Sequence, residues 1–201
     1  MTASTRRRPT ALLIDMDGVL RVFDREWDAG VERRHGLAAG SLMATAFAPE
    51  RVTPAVLGRM SHDDWMADVG TALGAPAAVA EWQTYHGEID PDVRSLVLDV
   101  RAAGIPVGLA TNGTDRLDAD LADFGIADLF DTVVNASSIG VAKPHPEFFA
   151  VACRALGVLP AECLFVDDSA RFIAGARAAG LLAYRYTGVG DLRYIRSAFG
   201  L

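Results

Sequence analysis

Cysteine is scarce in this chain. Cys153 and Cys163 are its only two, with nine residues between them and no CxxC spacing. They read as small buried apolar residues in a reducing compartment, not as a disulfide or a zinc site. Long apolar runs are missing as well: nothing approaches the roughly 18 residues of a membrane span. The N-terminus MTASTRRRPT is basic and leads into apolar residues, but that run lasts only from Ala11 to Ile14 before acids interrupt it. This is too short for a signal-peptide core, and Arg6 to Arg8 read as a solvated tail. Positive charge is also in deficit, with 19 Lys and Arg against 26 Asp and Glu and a formal charge of −7. That balance leaves no general reason to expect a nucleic-acid partner. No internal repeat or low-complexity segment occurs. What remains is a cytoplasmic globular protein without membrane attachment, 201 residues long and 51% hydrophobic, enough for one sizeable core and a small second lobe.

Short apolar runs alternate with helical patterns. The segments 10–16, 105–111, 131–136, 162–168 and 181–186 have strand character. Between them, helical spacing puts Val93, Leu96, Val97 and Val100 on one face of 91–104, and Leu117, Leu121 and Phe124 on one face of 114–125. The segments 145–157 (Phe149, Cys153, Leu156) and 169–180 (Phe172, Ile173, Ala176) repeat the scheme, and each of the four closes on glycine. Strand, helix, glycine, strand is the rhythm of an α/β, Rossmann-like, doubly wound parallel sheet. Residues 21–90 break it. They show no convincing strand, helical stretches near 24–36, 61–74 and 76–87, punctuation at Pro49, Pro54 and Pro76, and all three tryptophans. The expected division is a core of 1–20 and 91–201 with a helical cap at 21–90, inserted beside the sheet edge where ligands bind.

The stretch LLIDMDGVL poses a chemical question, since an apolar strand should not end in two unpaired acids. Other strand ends carry comparable groups: Thr111-Asn112-Gly113 follows the second and Asp167-Asp168-Ser169 the fourth, while Lys143 lies in a loop before a helix. In a parallel sheet these would converge as four carboxylates, one lysine and one hydroxyl. Carboxylates so gathered repel one another unless a cation joins them, and Mg²⁺ suits a site offering few carboxylates plus waters and a substrate phosphate. In Asp-x-Asp, one acid can attack as a nucleophile while the other moves protons. Phosphoryl transfer fits, being catalysed by positioning and charge neutralisation.

In these residues the chain resembles the haloacid dehalogenase superfamily, specifically its phosphatase-like members with a helical cap after the first motif. DMDGVL is similar to the first motif, ATNG at 110–113 to the second, AKPHPEFF at 142–149 to the third and FVDDSARFIAGARAAG at 165–180 to the fourth. The resemblance implies Asp15 as nucleophile forming an aspartyl-phosphate and as Mg²⁺ ligand. It implies Asp17 as general acid/base, with its main-chain carbonyl on the metal. Thr111, with the main chain near Asn112, would bind the phosphoryl group, and Lys143 would bridge nucleophile and phosphate. Asp168 would ligate the metal directly, and Asp167 directly or through water.

Asp167 could instead cap the following helix, and His145 reads as a helix-start residue. In the cap, Arg21, Asp24, His62, Trp65, Tyr85 and His86 could touch substrate; Arg21 is preferred, because it is near Asp17 and can fork onto an anion. The expected function is Mg²⁺-dependent hydrolysis of a small phosphorylated metabolite by a monomer or homodimer. A sugar-phosphate phosphomutase shares every motif. A haloacid dehalogenase is disfavoured by Asp17, Asp167 and Asp168 together, and carbon–phosphorus cleavage by the absence of lysine from 21–90. A non-catalytic binding module would show a substitution among the motif residues, and none is seen. The C-terminal DLRYIRSAFGL could close the core or meet a partner.

Overall fold

The computed structural model describes residues 8–201, so of the expected arginine tail only Arg8, which is exposed, can be placed; Arg6 and Arg7 lie outside the described residues. The chain opens with β1 (Ala11–Ile14) and β2 (Arg21–Val22), then α1 (Arg25–Arg34), α2 (Ser41–Ala46), α3 (Pro49–Val56), α4 (His62–Leu73) and α5 (Pro76–Trp82). After β3 (Glu88–Ile89) come α6 (Pro91–Ala102), β4 (Val107–Thr111), α7 (Leu117–Asp123), β5 (Thr132–Asn135) and α8 (Ala136–Ile139). Then follow α9 (Pro146–Leu156), β6 (Cys163–Asp167), α10 (Ala170–Ala178), β7 (Leu182–Arg185) and α11 (Leu192–Phe199).

All five strands read from the sequence form one parallel sheet in the order β5-β4-β1-β6-β7. Period-two alternation divides their side chains between two layers. Leu12 and Ile14 of β1, with Leu164 and Val166 of β6, face α6, α7 and α11; Ala11, Leu13, Cys163 and Phe165 face α9 and α10. The helical faces are placed as their spacing implies, with Val93, Leu96, Val97 and Val100 buried on α6. Both cysteines are buried and free. The C-terminal stretch closes the core: α11 packs on α6 and buries Leu192, Ile195 and Phe199. From β1 the chain passes to β4 and β5 on one side, whereas β6 and β7 lie on the other. The crevice at the carboxyl end of β1 is therefore where the strand order reverses.

The excursion between β1 and α6 is helical, but it departs from expectation in two ways. It holds five helices instead of three; α2 and α3 are short, and α3 carries Pro54 in its interior, which hides the pattern. It also begins and ends in strand: β2 and β3 pair antiparallel, Arg21 opposite Ile89 and Val22 opposite Glu88. Two-residue strands are too short to show alternation. This ribbon is the neck through which the chain leaves and rejoins the core, and the Asp90 amide donates to the Leu20 carbonyl at 2.9 Å. The helices enclose a separate apolar cluster around Val31, Leu42, Trp65, Met66, Val69 and Val79. Their three indole N–H groups all find partners in the same lobe: Ala46, Trp82 and Asp28. Trp65 is thus a core residue, and Asp24 caps α1. The lobe rests on the sheet's carboxyl edge, where the His62 amide donates to Asp115 at 2.8 Å and Gly58 abuts the Ser137 backbone.

Candidate active site

Strand register brings the acids together. Ile14 is paired with Val166, so Asp15 and Asp167, one residue further on, emerge side by side from adjacent strands. Both are buried, and Lys143 lies between them with Nζ 2.8 Å from Asp15 Oδ1 and 2.7 Å from Asp167 Oδ2. Lys143 is the only lysine among the 201 residues. Its side chain is fully buried, and the ammonium sits 4.9 Å from the Phe172 ring centre and 5.4 Å from that of Phe165. Such a charge is tolerable only because two carboxylates and two ring faces surround it.

The loop carrying Lys143 is pinned from two sides. The Asn112 side chain receives the Lys143 amide on Oδ1 at 2.8 Å and donates from Nδ2 to the Lys143 carbonyl at 3.1 Å. Beneath, Gly175 of α10 lets the loop approach: a Cβ there would lie 2.5 Å from Pro144 Cβ. His145 is the N-cap of α9, its Nδ1 accepting from the Glu147 amide, so it belongs to the helix start as expected. Thr111 ends β4 and is buried.

Asp15 Oδ1 also accepts from the Met16 amide at 2.8 Å. Burial pushes the Asp15 carboxyl well above the ordinary carboxylate range; Lys143 draws it back, while Asp167 adds to the rise. Asp168 is raised as well, by burial first and then by Asp167. One carboxylate oxygen each from Asp15, Asp167 and Asp168 fall within 4.8 Å of one another. Three hard oxygen donors at that spacing fit a divalent cation of the Mg²⁺ class. The members differ. Asp167 already spends Oδ2 on Lys143 and Oδ1 on the Ser169 amide at 2.8 Å, so it is not the helix cap itself. Asp168 is exposed and lies against Gly18, where a Cβ would come within 2.5 Å of its Oδ2; Gly18 has φ +81°.

Asp17 stands apart, with its side chain 48% exposed. Arg21 forks onto it, Nε to Oδ1 at 2.6 Å and Nη2 to Oδ2 at 3.2 Å, while Nη1 reaches Asp120 Oδ2 at 2.7 Å. The second oxygen of Asp120 takes Nε of Arg116 at 2.9 Å, and Arg116 Nη2 lies 3.0 Å from His86 Nε2. The guanidinium that sequence reasoning offered to an anionic substrate is thus engaged by two acids of the protein. Tyr85 accepts from the Asp24 amide, and His62 lies 3.3 Å from the Thr114 hydroxyl. Sequence reasoning passed over Asp120 and Arg116, which look like any polar helix pair at i,i+4, and the amide role of Asn112. It also passed over a usable signal, a lone lysine among eighteen arginines.

A family model described as a haloacid dehalogenase-like hydrolase matches residues 9–180. A phosphatase of Mycobacterium tuberculosis (strain CDC 1551 / Oshkosh) is 30% identical to this chain, with 92% of this chain and 90% of that protein covered. The validoxylamine A 7'-phosphate phosphatase of Streptomyces hygroscopicus subsp. limoneus is 27% identical, over 92% of this chain and 89% of its own. A HAD family enzyme of Bacteroides thetaiotaomicron, solved in complex with magnesium and inorganic phosphate, shares the fold with a TM-score of 0.74 at 22% identity, covering 89% of this chain and 94% of that one. With a family match across most of its length, the chain belongs to the haloacid dehalogenase-like hydrolases.

Proposed function

We propose that this phosphatase of the haloacid dehalogenase family removes phosphate from a small phosphorylated metabolite, with Mg²⁺ as cofactor and an aspartyl-phosphate on Asp15 as intermediate. The observation that carries the reading is the buried Lys143 between Asp15 and Asp167, with Asp168 completing a three-oxygen cluster. Residues 1–20 and 91–201 are assigned to the catalytic unit, and 21–90 to its cap.

Asp15 attacks phosphorus through one carboxylate oxygen, its charge tempered by Lys143 and the Met16 amide on Oδ1. As the Asp15–phosphorus bond forms, the ester P–O bond breaks and Asp17 gives its proton to the departing oxygen. Water then attacks phosphorus, Asp17 takes its proton, and the acyl phosphate opens to restore Asp15. Lys143 neutralises charge on the nucleophile and the transferred group, and the Thr111 hydroxyl and the main chain at Asn112 bind the phosphoryl oxygens. The metal would be held by Asp15, Asp168 and the Asp17 carbonyl, with Asp167, each of whose oxygens already accepts one hydrogen bond, acting directly or through water. When bound it would neutralise the carboxylates and polarise the phosphoryl oxygens.

The test is phosphate release from a panel of phosphorylated metabolites with Mg²⁺ or EDTA, run beside Asp15→Asn. Release that needs Mg²⁺ and disappears in Asp15→Asn is expected. Activity surviving in that variant would sink the covalent route, and isomer interconversion of a sugar phosphate in place of release would indicate a mutase.

A further inference from the structure

Arg21 occupies an unusual position. It belongs to β2, one strand of the neck, and its guanidinium points back to the loop that carries the catalytic acids. Three of its five N–H donors are committed, two to Asp17 and one to Asp120. The Arg21 side chain is 11% exposed and that of Asp120 9%. Packing holds the stem as well. A Cβ on Gly87, in the segment leading to β3, would lie 3.0 Å from Arg21 Cγ, and the Phe23 ring lies 5.1 Å from its Cζ. Asp120 is itself fixed, since each of its oxygens takes a different guanidinium, Arg21 on one and Arg116 on the other.

An exposed ion pair between two free side chains orients nothing. A half-exposed carboxylate gripped on both oxygens by a largely covered, anchored fork is different, because a bidentate guanidinium sets the plane as well as the place of the carboxylate. One acceptor site on each Asp17 oxygen is used by Arg21, and the others remain for a proton in transit. We propose that Arg21, anchored by Asp120, is a positioning residue that holds the Asp17 carboxylate in its working orientation for proton transfer to and from the reacting oxygens. This rests on the reading of Asp17 as general acid/base. Arg21 itself touches no reacting atom.

The experiment separates reactions that need the proton from those that do not. An alkyl phosphate must have its leaving oxygen protonated, whereas 4-nitrophenyl phosphate departs as a stable phenolate. The quantity compared is kcat/KM, which covers events through loss of the leaving group, for 4-nitrophenyl phosphate and for the most active alkyl phosphate of the panel. Asp17→Asn sets the signature of a lost acid, a much larger fall on the alkyl ester than on the aryl ester. Arg21→Met, which keeps the stem, is expected to reproduce that pattern with an alkyl loss of about 10- to 100-fold, the scale of a misplacement near 1 Å. Asp120→Asn is expected to show it in milder form, and Asp17→Asn with Arg21→Met to be no worse than Asp17→Asn alone. Equal losses on both esters, or losses that multiply in the double variant, would overturn the proposal. If Arg21→Met does not fold, Asp120→Asn decides by the same criterion. If Asp17→Asn itself spares the alkyl ester, the assignment of Asp17 fails first, and the proposal falls with it.

Discussion

Two cations flank the acidic loop after β1, and they are built on opposite plans. On the floor of the crevice, Lys143 is a compact ammonium, fully buried, with two carboxylates and two ring faces around it. On the rim, Arg21 is a planar fork whose main client, Asp17, is about half exposed. A buried charge whose partner is removed costs several kcal/mol, while a pair open to water is worth about 1 kcal/mol or less. The floor should therefore couple stability and catalysis tightly. The rim should separate them, because orientation matters to a proton transfer even where little folding energy is involved.

The largest effect is expected from Lys143→Met, which leaves Asp15 and Asp167 buried against each other. It should cost about 3–5 kcal/mol and lower Tm by about 10 °C, with phosphate release abolished; a thermal melt and a release assay check both. Gly18→Ala comes next. Its φ of +81° and the approach of a Cβ to 2.5 Å from Asp168 Oδ2 should cost about 1–3 kcal/mol and displace the Asp168 carboxylate. Mg²⁺ at tenfold its Kd should stabilise the native protein by about 1.4 kcal/mol, a rise of a few degrees that Asp168→Ala and Gly18→Ala both remove.

Asp15→Asn should act in the opposite sense on stability. Burial raises the Asp15 pKa in the folded state, so the folded protein binds the proton more tightly than the unfolded chain. Its stability contribution is present below the unfolded value, near 3.9, and is lost as pH rises through the folded one. At neutral pH without metal the carboxyl is a burden. Asn should therefore raise Tm while ending turnover, and the advantage should shrink as pH is lowered toward 4, as thermal melts across that range would show. The smallest change in stability belongs to Arg21→Met, about 1 kcal/mol, since Asp120 keeps Arg116 and the Asp17 carboxylate is open to solvent. A Tm loss comparable to that of Lys143→Met would erase the distinction between floor and rim.

Much of the core was legible. Five apolar runs bounded by glycine or acid are five strands. The central three, β1, β4 and β6, are buried on both faces and so are apolar up to their carboxyl ends, while the edge strands β5 and β7 are only partly buried. Acids that interrupt such runs were legible as a candidate site for the same reason, and the fold gathers Asp15, Asp167 and Asp168. The lobe at 21–90 was legible as helical but not in detail. Its ribbon is too short for a pattern, and α3 contains a proline.

The amino-acid sequence by itself determined the chemical inventory and its order along the chain: Asp15 and Asp17, then Thr111, then Lys143, then the acidic pair. Those assignments depend on local signals, run length, residue type and spacing, which survive in one dimension. Only the tertiary structure decided how each group is used. Lys143 faces Asp167 across 24 positions, and Arg21 meets Asp120 across 99. Asn112 serves the Lys143 backbone instead of pointing its amide elsewhere, and Asp167 already accepts a hydrogen bond on each oxygen. A side chain's partner is set by strand register and by the direction in which neighbouring elements turn it, and no local spacing encodes either.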